Sequence, residues 1–353
     1  MNVTFWRNLI VSKNPSFGHK VLRSILKVLS CFYGFAVALR NWFYDKSIRK
    51  PVKVSAAVVS IGNITTGGTG KTPLVAWLCN YFTDRNIKTA VLTRGYKVKN
   101  SDFADEPAML AKAAPKAIVI VNPNRTAGAK KAIREHNAKL LIMDDGFQHR
   151  KLARDVNIVA VDATEPFGCE KILPAGLLRE PLKSFKRADA VIITRINQSQ
   201  PEKIDEIKSR ISQIAPDIVF ATAIHKPKSA KLIKGSQIDF KELAEKRIYA
   251  FCGIGNPNAF FQTLSEMALN IVGKKVYNDH HKYCDADIMA IHEDAGYKQA
   301  QLVLTTQKDW IKTALLCIDK FEIPFAALSV ELEFIDGQDK IIDLVNKAIE
   351  KYV

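Results

Sequence analysis

The sequence predicts an α/β protein: a mostly parallel sheet domain, a smaller C-terminal α/β domain and an N-terminal amphipathic helix. Three observations predict it. After residue 50, short and continuously apolar runs alternate with helical stretches. A glycine-rich turn joins the first of those runs to a helix. The first fifty residues combine an apolar stripe with strong positive charge. Strands that are apolar without interruption belong in parallel sheets covered on both faces, because each face must pack against a helix.

Residues 1–50 carry nine Lys or Arg and one acid, Asp45. Val28 to Leu39 runs twelve residues without a charge, short of the roughly 20 apolar residues that a spanning helix needs. Leu22, Ile25, Leu26, Leu29, Phe32, Phe35 and Ala36 fall near one helical face, and Trp42, Phe43 and Tyr44 follow. The pattern predicts a basic amphipathic helix lying in a headgroup region. No small-residue cleavage site follows the apolar run, which argues against a signal peptide.

Candidate strands follow at Ala56–Ile61, Thr89–Leu92, Ala117–Val121, Leu140–Met143, Ile158–Val161 and Ala190–Ile193, with helices at Pro73–Phe82, Pro107–Ala113 and Ala127–His136. A second series has strands at Arg247–Phe251, Ile271–Tyr277, Gln301–Leu304 and Pro324–Ser329, and helices at Pro257–Ala268, Ala286–Ala295 and Gly337–Glu350. The basic stretch His225–Ser236 reads as a linker. Three parts are therefore expected: residues 1–50 as a membrane-associating segment, 51–225 as the first α/β domain and 226–353 as the second.

The chain holds 52 Lys plus Arg against 36 Asp plus Glu, a formal net charge of +16. Such an excess attracts polyanions. With no nucleic-acid-binding motif present, an anionic membrane surface is the expected partner and nucleic acid is not. The six cysteines, Cys31, Cys79, Cys169, Cys252, Cys284 and Cys317, form no Cys-x-x-Cys pair, a pattern of reduced thiols in a cytosolic setting.

The strongest local signal is Gly62-Asn63-Ile64-Thr65-Thr66-Gly67-Gly68-Thr69-Gly70-Lys71-Thr72-Pro73, between a strand and a helix. That context makes a P-loop: glycines let backbone N–H groups point at phosphates, and the helix start adds positive potential. Gly67, Gly68, Thr69, Gly70, Lys71 and Thr72 are the candidate nucleotide contacts, with Lys71 on the β- and γ-phosphates and Thr72 on Mg²⁺. The strict pattern wants glycine where Thr65 stands. Leu140–Met143 delivers Asp144-Asp145-Gly146 at a strand end, a position suited to holding Mg²⁺ through one or two carboxylates.

Two further acids have plain structural alternatives. Asp105 precedes Glu106-Pro107 and suits a helix N-cap; Asp279-His280-His281, with Cys284 nearby, suits a capped turn and matches no standard zinc spacing. Thr194-Arg195-Ile196-Asn197 has an approximate likeness to a guanine-specificity loop, but Asn197 stands where that loop needs a carboxylate, which argues against GTP.

Together these segments resemble one family, the tetraacyldisaccharide 4'-kinases. The likeness rests on Gly62-Asn63, Gly67 to Pro73, Thr93-Arg94-Gly95-Tyr96, Asp105-Glu106-Pro107, Asp144-Asp145-Gly146-Phe147-Gln148-His149, Leu173-Pro174-Ala175-Gly176, Leu178-Arg179-Glu180-Pro181 and Asp279-His280. It implies a P-loop kinase on the cytoplasmic face of a Gram-negative inner membrane. The kinase would use ATP and Mg²⁺ to phosphorylate the 4'-hydroxyl of a lipid A precursor disaccharide. It also implies roles: Lys71 and Thr72 on nucleotide and metal, Asp144 and Asp145 as metal acids, Asp105 as catalytic base, and His280 as its partner. Lys97 stands where the family has glycine, and Gln307 where it has glutamate in a Thr-Glu-Lys-Asp segment. The competing reading is a membrane-tethered P-loop switch ATPase or GTPase with no lipid substrate.

Overall fold

The computed structural model describes residues 6, 9–10, 16–95, 105–232, 235–279, 281–314, 316 and 320–352, with only the backbone of residues 105 and 106. The chain divides into two compact units. Unit 1 holds Met1–Asn100, Leu110–Ile224 and Leu332–Val353; unit 2 holds Ser101–Met109 and His225–Glu331.

Unit 1 begins with α1 (Phe17–Asp45), capped where the Ser16 side chain accepts from the His19 N–H. Its sheet contains β1 (Ala57–Gly62), β2 (Thr89–Thr93), β3 (Ile118–Val121), β4 (Leu140–Asp144), β5 (Val156–Asp162), β6 (Ala190–Thr194) and the start of β7 (Val219–Leu232). Their order is β7-β6-β5-β1-β4-β2-β3, with every recorded pairing among them parallel. β1, β2, β4 and β6 are buried at every position, as expected for strands covered on both faces.

Helices α2 (Lys71–Thr83), α3 (Asp105–Ala113), α4 (Arg125–His136) and α5 (Pro201–Ser212) connect the strands. α4 is bounded by two side-chain signals: Asn124 accepts from the Ala127 N–H at its start, and Asn137 takes a left-handed φ of 52° at its end. One core cluster joins Val59 and Ile61 of β1, Leu140 and Ile142 of β4, and Leu74, Val75 and Leu78 of α2.

Unit 2 contains the end of β7, then β8 (Gln237–Ile238), α6 (Phe240–Glu245), β9 (Arg247–Cys252), α7 (Pro257–Glu266), β10 (Asn270–Val276), α8 (Asp285–Tyr297), β11 (Leu302–Thr306), α9 (Gln307–Thr313) and most of β12 (Phe325–Asp336). β9 pairs in parallel with β10 and β11, and β11 with β12. Phe260, Leu264, Leu302, Leu304 and Leu328 anchor its core.

Two features differ from the sequence reading. The stretch His225–Ser236 is mostly strand: β7 continues to Leu232, and Ser229 and Ala230 are buried in it. Pro227 lies between the residues paired with β6 and those paired with β8, so its missing N–H interrupts neither of those two pairings. The unit boundary falls inside this strand, at Ile224/His225. In addition, the last helix, α10 (Gln338–Ile349), groups with unit 1 although the sequence reading gave 226–353 to one domain. Its face of Ile341, Val345, Ala348 and Ile349 joins the cluster around β1 and α2, and burying each large aliphatic side chain contributes about 1.5–3 kcal/mol.

α1 is 29 residues long and apolar enough, by length and composition, to cross a membrane. The twelve-residue charge-free run understated it because Arg23, Lys27 and Arg40 sit inside the helix. Its arrangement is inverted relative to α10. Leu26, Val37 and Asn41 are buried, while Ile25, Val28, Leu29, Phe32, Phe35, Leu39 and Trp42 are exposed, Phe32 to 70% and Phe35 to 69%.

Candidate active site

Unit 1 gathers its chemistry at the carboxyl ends of β1, β4, β5 and β6, the edge where ligands bind in open α/β sheets. The P-loop leaves β1 at Gly62. A Cβ there would come within 2.5 Å of Phe147 Cβ and 2.7 Å of the Phe147 backbone N, so only glycine lets the two loops touch. Gly67 and Gly70 take φ of 121° and 81°, and Gly70 forms the N-cap of α2. α2 then starts at Lys71 with Pro73 in its first turn, where a missing N–H costs nothing.

Three segments brace the loop. The Leu177 carbonyl accepts from the Thr66 N–H at 2.7 Å, and the Arg179 N–H donates to the Ile64 carbonyl at 2.7 Å. At the end of β6, the Thr194 hydroxyl donates to the Thr69 carbonyl at 3.0 Å, and Arg195 donates from Nη1 to the Gly68 carbonyl at 2.8 Å. Arg195 also pairs with Asp162 at the end of β5. Gln148 donates from Nε2 to the Asn63 carbonyl at 2.8 Å.

The carboxylates of Asp144 and Asp145 are placed differently. Asp144 is 4% exposed and follows Leu140 and Ile142 in strand alternation, on the face packed against α2. Burial and the Asp144 carboxylate together push the Cys79 thiol of α2 up. Asp145 sits one residue beyond β4 with φ of 50°. Its carboxylate accepts two hydrogen bonds from Arg179 Nη1, at 3.0 and 2.8 Å, and lies 3.4 Å from Lys71 Nζ. Burial pushes the Asp145 carboxyl up, but Lys71 and Arg179 outweigh that and hold it at about 2.

Several polar atoms of this cradle are buried and have no hydrogen-bond partner among the described residues: both side-chain atoms of Asn63 and the hydroxyl of Thr69. Leaving such groups unpaired costs about 1–3 kcal/mol each. Folded proteins tolerate that where a ligand supplies the partner. A triphosphate with its hydration shell has the donors and acceptors to do so.

Beside β4 lies a cluster of cations. Arg125, 5% exposed, donates from Nη2 to the Asp144 carbonyl at 2.6 Å. Burial, with Arg125, Arg154, Lys151 and Arg94 around it, lowers His149 to about 4, so the imidazole is neutral at neutral pH.

The structure thus brings together Gly67, Gly68, Thr69, Gly70, Lys71, Thr72, Asp144 and Asp145. Asp105 opens α3, and its side chain lies outside the described residues, as does His280. Near His280, Lys308 reaches Asp279 at 3.0 Å and His281 reaches Asp287 at 2.9 Å. Among the described residues no three His, Cys, Asp or Glu cluster as metal ligands. Sequence reasoning assigned no role to Arg125, Arg179, Glu180 or Arg195. Arg125 carried one usable signal: a cation in the first turn of a helix opposes the helix dipole and needs a specific partner.

Comparison with known proteins agrees with this geometry. The family model for tetraacyldisaccharide-1-P 4'-kinase matches residues 22–350. The tetraacyldisaccharide 4'-kinase of Syntrophus aciditrophicus is 38% identical, over 92% of this chain and 93% of that protein. The enzyme of Halothermothrix orenii is 33% identical, over 96% of each. A crystal structure of LpxK from Aquifex aeolicus in complex with ATP superposes with a TM-score of 0.71 at 27% identity, covering 93% of this chain and 99% of that one. The chain belongs to the tetraacyldisaccharide-1-P 4'-kinase family.

Proposed function

We propose that this protein transfers the γ-phosphoryl group of ATP to the 4'-hydroxyl of tetraacyldisaccharide 1-phosphate, giving the bis-phosphorylated lipid A precursor and ADP. The observation that carries this is a P-loop whose lysine stands 3.4 Å from a strand-end carboxylate, in a chain aligned to 4'-kinases over nearly its full length.

In this reading the backbone N–H groups of residues 67–72 and the start of α2 receive the phosphates. Lys71 neutralises charge on the γ-phosphoryl group as it transfers, when it gains most. The acceptor oxygen forms the new P–O bond, the bond to the β–γ bridging oxygen breaks, and ADP leaves with that oxygen. Asp105 takes the hydroxyl proton, and His280 orients or tunes Asp105.

Mg²⁺ prefers oxygen donors. The Thr72 hydroxyl and the Asp144 carboxylate, at the start of α2 and the end of β4, fit it, as does the Asp145 carboxylate one residue on. Bound there, the ion would neutralise phosphate charge. In this structure Asp145 is held by Lys71 and Arg179. It therefore serves first as the counter-charge that keeps Lys71 in place.

α1 supports a membrane reading. Its exposed apolar stripe suits the acyl boundary of an anionic inner-membrane leaflet. Contacts of its other side with the protein run from Ser30 to Asp45, so this half of the helix lies along unit 1. The enzyme would act as a peripheral protein on the cytoplasmic face.

The test is ADP release and label transfer from γ-labelled ATP, with and without tetraacyldisaccharide 1-phosphate. Acceptor-dependent transfer supports the kinase. Hydrolysis of ATP or GTP at the same rate without acceptor would establish the switch reading instead. Vesicle co-sedimentation of Phe32→Glu/Phe35→Glu tests the membrane face: recovery equal to that of the unaltered chain would refute it.

A further inference from the structure

The inverted helix α1 raises a question that membrane attachment alone does not answer. A helix that only anchors needs few specific contacts on its protein side, and polar ones least of all. α1 instead turns hydroxyl, phenol and guanidinium groups toward the segment 171–181, the same segment that braces the P-loop.

The contacts form a continuous series. The Ser30 hydroxyl donates to the Ile172 carbonyl at 2.8 Å, and the Tyr33 hydroxyl donates to the Arg179 carbonyl at 3.1 Å. Arg40 pairs with Glu180. Glu180 has 0% exposure, and its second oxygen is held by Arg187 at 2.5 Å. Arg187 lies over the Phe147 ring, 4.7 Å from its centroid, and Phe147 is the residue that Gly62 must clear.

A fully buried carboxylate is strongly unfavourable unless it is paired and hydrogen-bonded. Glu180 is held by one cation from α1 and one from its own loop, and this fixes the backbone at residues 179–180. From that backbone the Arg179 N–H reaches the Ile64 carbonyl of the P-loop, and its guanidinium grips Asp145, which sits against Lys71.

We propose that α1 is part of the nucleotide cradle: Arg40, acting through the buried Glu180, is a positioning residue that keeps Arg179 on Asp145 and thereby sets Lys71. The proposal rests on the reading of Lys71 as the phosphate ligand. It goes beyond that reading by giving the membrane-facing helix a role in nucleotide binding that needs no membrane.

The test is the affinity of the full-length protein for a fluorescent ATP analogue with Mg²⁺, in detergent and without vesicles. Arg40→Gln is expected to weaken binding about fivefold, and Arg40→Lys, which keeps the charge but not the fork, to recover most of that loss. Tyr33→Phe removes one hydroxyl and no charge, so it preserves the fold; it is expected to weaken binding about twofold.

A double-mutant cycle gives the decisive readout. If Arg40 acts through Asp145, Arg40→Gln adds nothing to the loss already caused by Asp145→Asn. A helix-to-loop fastener with no part in the cradle would lower the melting temperature and leave the affinity unchanged. That result, or losses that simply add, would overturn the coupling while leaving the kinase reading intact. If the unaltered protein fails to bind the analogue, the kinase reading falls and the coupling with it.

Discussion

Both units end parallel strands in loops, yet they hold a strand-edge acid differently. In unit 2, Asp309 is fully buried and held by neutral donors: Oδ2 accepts from the Gly253 N–H at 2.9 Å and the Thr306 hydroxyl at 2.7 Å. Its neighbours are paired within the same edge, Lys308 to Asp279 and His281 to Asp287. In unit 1, the Asn63 amide and the Thr69 hydroxyl find no partner among the described residues. There Lys71 is matched only by a carboxylate that Arg179 also holds. Cations that hold an acid, as at Asp145, can also hold a phosphate; an N–H and a hydroxyl closed on a buried acid, as at Asp309, stabilise the loop they belong to.

The largest effect that sharpens this contrast is at Lys71. Lys71→Ala is expected to lower turnover by roughly 10³-fold, the scale for losing a preorganised charge on a transferring group, with little change in melting temperature. Acceptor-dependent ADP release measures the first and circular dichroism the second. Asp309→Asn should do the reverse, destabilising the protein by about 1–3 kcal/mol because the N–H and hydroxyl lose a charged acceptor. If turnover fell while the melting temperature held, Asp309 itself would take part in the chemistry and the contrast would fail.

A matched glycine pair tests the same point. Gly62 ends β1 and Gly253 follows β9, and each admits a close neighbour: a Cβ on Gly253 would meet the Tyr283 hydroxyl at 2.8 Å. Each Gly→Ala change is expected to cost about 1–3 kcal/mol through overpacking. Only Gly62→Ala should also weaken binding of the ATP analogue, since it displaces Phe147 and the loop carrying Asp145. Equal loss of nucleotide binding from both would show that the two edges are not separable.

The smallest effect is in pH. His149 has its folded pKa depressed to about 4, below the unfolded value near 6.5. Its contribution to stability is therefore complete above about pH 6.5 and is lost as pH falls toward 4, where the unfolded chain binds the extra proton. Asp145, held at about 2, contributes above about pH 4 and loses its share as pH drops from there toward 2. Denaturant midpoints at pH 7 and pH 5 should differ for the unaltered protein and differ less for His149→Gln. An unchanged difference would mean that another group sets the acid limb.

Much of the scaffold was legible because it rests on local pattern. β4 and β6 are apolar up to their last residue and β1 is apolar but for Ser60, and each was placed to within a residue or two. The glycine-rich turn between β1 and α2 and the acids at the end of β4 could be placed because strand, turn and helix follow one another in sequence. Glu180 and Arg179 could not be given roles, because their partners Arg40 and Asp145 lie 140 and 34 residues away. No periodicity reports which distant cation a buried acid will find. His225–Ser236 misled for a related reason. Lysine and proline suggest a linker, and only the burial of Ser229 and Ala230 reveals the strand. α1 was correctly seen as two-faced, but which face meets protein is set by Glu180 and Ile172, far along the chain.

The position of α10 has a consequence for biosynthesis. Because Leu332–Val353 groups with unit 1, the nucleotide-binding half cannot seal its core until those residues have been made, after most of unit 2. A stop between residues 332 and 353 would thus strike first at the ATP-handling half, although the strands of that half are made earlier.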